Sequence, residues 1–188
     1  MNFLGAFAKK EWPDARLFVK QVMPGEIEKA LIDNVIDVGM TYAPMPLEGV
    51  KYLKAAKSPV ELYARKGAFK GMPPEQVPMV TPITPVTGTV LDARGFDGWP
   101  TDYFQRQVKY QIEGLEAALE MTRQGLCAGF FPKFLVKLHN SEMSSPFHLE
   151  PLALPVKLRP QTLTLYLVRR SSDEDDLMTR KLAKALRQ

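Results

Sequence analysis

The sequence predicts an α/β protein, and three stretches carry that prediction. Residues 111–134, QIEGLEAALEMTRQGLCAGFFPKF, combine an amphipathic helix that ends at a glycine with a short apolar strand and a proline. Residues 16–41 contain a β-rich run, a helical pattern and a second β-rich run. Residues 162–168, TLTLYLV, alternate as a strand does and precede a charged, amphipathic stretch. Alternation of strands with helices is typical of α/β folds that contain parallel strands.

Composition favours an ordinary globular protein. Of the 188 residues, 45% are apolar and 24% are charged, and the net charge of +4 comes from basic residues spread along the chain. This is not the clustered basic footprint of a nucleic-acid interface. Cys127 is the single cysteine, which excludes an intrachain disulfide and fits a reducing compartment. Because the sequence has neither a membrane-length apolar run nor a signal-peptide pattern, we expect a cytoplasmic protein.

In the N-terminal half, an opening helix with an apolar stripe at residues 3–8 ends at Pro13. The run RLFVKQV at 16–22 predicts a strand, and VIDVGMT at 35–41 predicts a second, buried strand. Between them, a helix is predicted after Gly25, with Ile27, Ala30, Leu31 and Val35 on one face. We interpret these three elements as a parallel crossover unit. Open α/β sheets bind ligands beyond the carboxyl ends of their strands, so Thr41 and Tyr42 form the first candidate site.

The rest of the chain continues the α/β pattern. Two strands are predicted at residues 52–53 and 60–65, and a proline-rich stretch from residue 73 to residue 88 predicts a lobe boundary. A strand at 108–112 leads into the helix that stops at Gly125, and residues 126–131 predict the next strand. A polar loop at 141–146 is interpreted as a second crossing. The strand at 162–168 and a C-terminal helix complete the prediction.

Recognisable catalytic and metal-binding motifs are absent from the sequence. It has no phosphate-binding glycine loop, dinucleotide fingerprint or zinc-ligand spacing, so we predict no catalytic residue, no metal and no cofactor. His139 and His148 are interpreted as structural or surface residues, Cys127 as a small buried hydrophobe and Trp99 as a packing residue. The best candidates for ligand hydrogen bonds are threonines at predicted strand ends or loops, for which ordinary turn chemistry is the alternative. They are Thr41, Thr81, Thr84 and Thr87.

Three stretches together resemble the effector-binding domain of LysR-type transcriptional regulators. They are GEIEKALIDNVIDVGMTYAP, LEAALEMTRQGLCAGFFPKFL and the closing LYLVRRSSDEDDLMTRKLAKAL. The resemblance implies two Rossmann-like lobes of the type 2 periplasmic-binding-protein fold, joined by two crossing strands. Lobe I would comprise residues 1–72 and 147–188, and lobe II residues 73–146.

The resemblance also implies a small-molecule effector bound in the cleft between the lobes, with a small organic acid as one candidate class. Carried over by position, the lining residues are Thr41, Tyr42, Thr84, Pro85, Thr87, Gly129 and Phe130. Cys127 departs from the family pattern, which often has a glycine at its position. An enzyme or a stand-alone solute-binding protein on the same two-lobed fold is the alternative interpretation.

The sequence has no counterpart of the family's N-terminal winged helix-turn-helix, its linker helix or the first strand of lobe I. We therefore expect no DNA binding by this chain alone, and expect DNA binding only through such an N-terminal domain. A sheet position left unfilled would favour association with a partner, so we expect a homodimer. No contact with a membrane is expected.

Overall fold

The computed structural model describes residues 2–14, 16–22, 25–82, 99, 105–153, 161–173 and 177–186. The helices of this part are α1 Asn2–Glu11, α2 Glu26–Ile32, α3 Leu115–Arg123, α4 Lys133–Glu142 and α5 Leu177–Ala185. The strands are β1 Gly39–Thr41, β2 Val50–Arg65, β3 Met79–Pro82, β4 Val108–Ile112, β5 Ala128–Pro132, β6 Leu149–Pro151 and β7 Gln161–Arg170. Short 3-10 turns cover Pro74–Gln76 and Ser145–Phe147.

The chain divides into two compact units. Unit 1 comprises Met1–Lys57 and Thr164–Gln188, and unit 2 comprises Ser58–Leu163. Both divisions fall inside strands, the first within β2 and the second within β7. The strand order is β1-β7-β2-β5-β3-β4, with β6 beside β2. The lobe boundaries at 72/73 and 146/147 remain a prediction, while the compact units divide at 57/58 and 163/164.

In unit 1, α2 packs closely on β1 and β7. Ile27 and Leu31 on one face of α2 join Val168 in a buried cluster. The close approach requires a glycine in β1, because a Cβ on Gly39 would lie 2.2 Å from the Ile27 Cγ2 atom. A second cluster packs α5 on the sheet and contains Ala55, Leu167, Leu182 and Ala183.

In unit 2, residues Met79–Thr81 of β3 and the whole of β5 are buried on both faces of the sheet. β3 pairs in parallel with both β4 and β5, and β5 pairs antiparallel with β2. Because side chains alternate along a strand, neighbouring residues feed different clusters. Phe130 joins a cluster with Met79 and Trp99, whereas Phe131 joins one with Val80 and Cys127. Parallel strands covered on both faces explain the continuous apolar run in β5.

The structure confirms most predicted elements and corrects several. α1, α2, β4, β7 and α5 lie where the patterns place them, and Gly125 ends α3 with a positive φ of 78°. The predicted strands at 52–53 and 60–65 are one continuous strand, β2. The helix α4 is not among the predicted elements, since the sequence patterns predict a strand that ends at Pro132 and a polar loop at residues 141–146. Pro132 instead precedes the first helical residue, a position where proline is compatible with a helix start.

The predicted parallel crossover unit is wrong. Residues 16–22 form no strand, and Leu17, Phe18 and Val19 are 56%, 81% and 51% exposed. None of residues 16–22 forms a backbone hydrogen bond with another described residue, so within the described part of the chain the segment has β-type composition and no strand partner. The second predicted strand is shorter than expected, because residues 33–38 form turns and loop and only Gly39–Thr41 pairs, antiparallel with β7.

Candidate functional site

The carboxyl end of β1 presents two hydroxyl side chains. Thr41 pairs with Tyr166 of β7 and is 7% exposed. Its Oγ1 accepts a hydrogen bond of 3.0 Å from the backbone N–H of Ala43, which turns the chain at the strand end. Tyr42 is half-buried, and this burial raises the pKa of its phenol. Thr41 and Tyr42 are therefore adjacent hydroxyls at a strand end of unit 1, as predicted.

The loop after β1, residues 42–49, is held by a polar network that the sequence analysis did not identify. Glu28 Oε1 accepts hydrogen bonds from the backbone N–H of Met45, at 3.0 Å, and from the Tyr52 hydroxyl, at 2.9 Å. The Tyr52 hydroxyl also lies 2.7 Å from the Met45 carbonyl oxygen. Burial, followed by the contact with Glu28, raises the pKa of Tyr52. The signal in the sequence was position: Glu28 lies three residues before Leu31, on the inner face of α2.

In unit 2, the carboxyl ends of three parallel strands form the second candidate edge. β3, β4 and β5 end at Pro82, Ile112 and Pro132, and Thr81 is buried in register with Gln111. Parallel strands bring their carboxyl ends to one edge, which is the usual position of ligand sites in such sheets. The predicted site residues Thr84, Pro85 and Thr87 lie outside the described residues.

The predicted residues on β5 are packed into the interior of unit 2. A Cβ on Gly129 would lie 2.2 Å from Cζ of Phe131, so the phenyl ring covers the glycine. Phe130 is 7% exposed and meets Trp99 edge to face, with ring centroids 5.2 Å apart. Trp99 itself is fully buried, which confirms its interpretation as a packing residue. Gly129 and Phe130 therefore form part of a rigid strand whose side chains contact one another.

Groups with potential chemical reactivity have structural roles. Cys127 is fully buried 3.7 Å from the Thr122 hydroxyl, and burial raises the pKa of its thiol, which disfavours the thiolate. His148 Nε2 lies 2.9 Å from the Met143 carbonyl oxygen and His139 Nε2 lies 3.4 Å from that of Phe147. Within the described ranges, no three potential metal-ligating side chains gather into a cluster.

One open cavity lies elsewhere in unit 1. It has a volume of about 360 Å³ and is lined by Leu186 and by the residues of β2 from Lys54 to Lys57. None of the predicted site residues lines it. In the part of the chain with described coordinates, no helix has the length and apolar character to cross a membrane.

The family is shown by comparison with known sequences. The family model described as the LysR substrate binding domain matches residues 2–188. The chain belongs to the LysR substrate-binding domain family. The resemblance stated from the sequence, and the α/β fold of two lobes that it implies, are thereby confirmed. Comparison with curated proteins gives no match.

Solved structures of LysR-type regulators share the fold at low sequence identity. The CrgA regulatory domain from Neisseria meningitidis is 18% identical with a TM-score of 0.69, over 97% of this chain and 88% of that one. The Synechocystis PCC6803 CcmR regulatory domain, solved in complex with 2-PG, is 14% identical with a TM-score of 0.66, over 98% and 88%. Full-length CbnR, solved with its target DNA, is 15% identical with a TM-score of 0.66, and this LysR substrate-binding domain spans 66% of its length.

Proposed function

We propose that this LysR substrate-binding domain is the regulatory part of a transcription regulator and binds a small organic molecule, with small organic acids as the leading class. The observation that carries the proposal is the pair of hydroxyls at the end of β1, Thr41 and Tyr42, on a loop fixed by Glu28 and Tyr52. Hydroxyl and backbone N–H groups bind carboxylate oxygens without any covalent step. The proposal therefore assigns no catalytic residue.

The proposed lining combines groups from two strand ends with groups from β5. Thr41 and Tyr42 supply hydroxyls, whereas Gly129 and Phe130, which are packed inside unit 2, are included because the family resemblance implies them. Thr84, Pro85 and Thr87 are included on the strength of the family resemblance alone. A ligand bound to groups of both lobes would favour one lobe orientation over others, which is how such a domain transmits a signal.

A thermal-shift panel of small organic acids, amino acids and aromatic compounds tests the proposal. The compound with the largest shift is then titrated against the wild type and the Thr41→Val, Tyr42→Phe and Thr84→Val variants. We expect Thr41→Val to weaken binding about tenfold, since it removes a hydroxyl without changing side-chain volume. The control is Thr162→Val, which changes an exposed threonine on β7. A compound that binds all four proteins equally contradicts the site.

We also propose that the chain forms a homodimer through residues 16–22. The supporting observation is an exposed, β-rich segment whose backbone groups are unpaired within the described structure. Such a segment can pair with an identical segment of a second copy. Phe18, at 81% exposed, would lie at its centre.

Sedimentation velocity tests the dimer. Phe18→Asp should shift the wild-type dimer to monomer, whereas Phe134→Asp, at a half-exposed phenylalanine of unit 2, should leave it unchanged. A dimer that survives Phe18→Asp, or a wild-type monomer, contradicts the proposal. DNA contact is assigned to a separate N-terminal domain of the whole regulator, so duplex DNA should not bind this chain in a sequence-specific way.

A further inference from the structure

Glu28 is a buried carboxylate that stability does not explain. Its side chain lies on the inner face of α2 beside Ile27 and Leu31, and the residue is 1% exposed. One carboxylate oxygen accepts both hydrogen bonds, and the other, Oε2, is buried without a hydrogen-bond partner among the described residues. A buried polar atom left unpaired costs about 1–3 kcal/mol, and an apolar side chain would remove that cost. The two donors that it releases would not be left unpaired, because the Tyr52 hydroxyl keeps the Met45 carbonyl oxygen 2.7 Å away as an acceptor and the half-buried Met45 can donate its N–H to water.

The contacts of Glu28 converge on one residue of the loop after β1. Met45 lies in the middle of residues 42–49; its N–H donates to Glu28 and its carbonyl oxygen lies 2.7 Å from the Tyr52 hydroxyl. The two ends of the loop are fixed by other bonds, from the Ala43 N–H to Thr41 and from the Ser171 N–H to the Gly49 carbonyl, at 2.7 Å. Glu28 and Tyr52 thus hold the part of the loop that its ends leave unsupported.

The same network reaches the strand partner of Thr41. Tyr52 meets Tyr166 edge to face, with ring centroids 6.3 Å apart, and Tyr166 is paired with Thr41. The loop that carries Tyr42 and the strand pair that carries Thr41 are therefore both in contact with Tyr52. Glu28 is the acceptor that fixes the Tyr52 hydroxyl between α2 and the loop.

We propose that Glu28 is a positioning residue for the Thr41–Tyr42 site, which it reaches through Met45 without touching a ligand itself. Its relevance to binding rests on the proposed function, but its effect on the loop does not. The unpaired oxygen implies that positioning is obtained at a cost in stability. Substitutions of Glu28 should therefore change loop order and global stability in opposite directions.

Amide hydrogen exchange measured by NMR, together with urea unfolding, tests this proposal on three variants. Glu28→Leu should speed exchange of the Met45 amide at least about tenfold, because its acceptor is removed. The same variant should leave the free energy of unfolding unchanged or increased. Glu28→Gln retains the Oε1 acceptor and should keep Met45 protected. Glu26→Leu changes an exposed glutamate of the same helix and is the matched control.

The geometry of the site itself is followed with 3-fluorotyrosine-labelled protein, in which Tyr42→Phe assigns the Tyr42 fluorine resonance. Glu28→Leu should shift or broaden that resonance, and Glu28→Gln should not. Unchanged Met45 exchange in Glu28→Leu overturns the proposal. A loss of global stability in Glu28→Leu, including failure to fold, also overturns it, since Glu28 would then be an ordinary structural residue. None of these measurements needs a ligand. If no compound of the thermal-shift panel binds, the proposed function is contradicted, but the exchange and unfolding measurements still test the role of Glu28.

Discussion

The two compact units hold their candidate strand ends by different physical means. In unit 1, the loop after β1 is held by a hydrogen bond from the Met45 N–H to Glu28 and by the Tyr52 hydroxyl, which lies 2.7 Å from the Met45 carbonyl oxygen. In unit 2, β5 is held by shape: all five of its residues are buried, and the ring of Phe131 fills the space beside Gly129. Directional bonds can be exchanged for bonds to water at moderate cost, whereas close packing tolerates no loss of volume. Unit 1 is thus suited to adjustment at its strand end, and unit 2 to rigidity.

The largest expected effect is the loss of packing in unit 2. Phe131→Ala removes a 2% exposed phenyl ring from the cluster that also contains Val80, Leu119 and Val136. Deletion of a buried phenylalanine ring costs about 3–5 kcal/mol through lost burial and the cavity left behind. Urea unfolding monitored by circular dichroism measures this loss.

The control for that change lies three residues further along the chain. Phe134 on α4 is 51% exposed, so Phe134→Ala should lower the free energy of unfolding by less than about 1 kcal/mol. Equal losses for the two alanine variants would show that β5 is not the rigid element described here. Unit 2 would then not be held by close packing, and the contrast with unit 1 would be wrong.

A somewhat smaller loss is expected when a partly buried arginine, hydrogen-bonded to two backbone carbonyls, is removed from unit 1. Arg170 at the end of β7 donates from Nη1 to the carbonyl oxygens of Leu31, at 3.1 Å, and Ile36, at 2.8 Å, and its Nε lies 3.0 Å from Asp173 Oδ2. Arg170→Met retains apolar volume but loses these bonds, and should lower the free energy of unfolding by about 2–3 kcal/mol. Lys51→Met, at an exposed lysine of β2, should change it by less than about 0.5 kcal/mol. Similar results for both variants would mean that charge, and not the hydrogen-bond geometry, is responsible.

The next effect is crowding of the strand in unit 2. Gly129→Ala places a Cβ against the buried ring of Phe131 and should cost about 1–3 kcal/mol, since a packed interior resists added volume. Gly5→Ala is the matched control, because nothing lies within 4 Å of its added Cβ and alanine favours the helix α1. The two glycine substitutions should therefore change urea stability in opposite directions. Tolerance of Gly129→Ala would show that the ring of Phe131 moves freely.

Local patterns predicted the elements that depend on local chemistry. The face of α3 formed by Ala118, Leu119 and Thr122 is buried as its spacing indicates, and Gly125 ends the helix in the left-handed conformation that glycine favours. The strand prediction for residues 16–22 is wrong, because β-propensity shows that a segment can form a strand but not whether a neighbouring strand is present to pair with it. Strand pairing depends on residues far apart in the sequence, so a local pattern cannot predict it.

The candidate site was predictable only in outline. A threonine and a tyrosine after an apolar run mark a strand end, so Thr41 and Tyr42 could be identified. The spacing from Leu31 places Glu28 on the inner face of α2, but this does not mark a functional residue, because a glutamate in the first turn of a helix is explained equally well by the helix dipole. Its bonds to Met45 and Tyr52 join positions 17 and 24 residues away, and no periodicity in the sequence encodes such contacts.

The smallest expected effect contrasts the exposed carboxylate of unit 2 with the buried one of unit 1. On α3, hydrogen bonds from Arg123 and then Gln124 lower the pKa of Glu120 to about 2. Because the folded-state pKa lies below the ordinary value of 4.5, the stabilisation is fully present above that value and disappears as the pH falls toward about 2. The size of this stabilisation is limited by solvent screening, since the Glu120 side chain is 44% exposed.

Glu120→Gln should therefore lower the free energy of unfolding by less than about 1 kcal/mol at pH 7, and the difference from the wild type should shrink at pH 3. Urea titrations at both pH values measure this, with Glu116→Gln on the same helix as control. If the difference in unfolding free energy between Glu120→Gln and the wild type is the same at both pH values, Glu120 acts through packing. The contrast between this screened surface carboxylate and the buried Glu28 would then have no electrostatic basis.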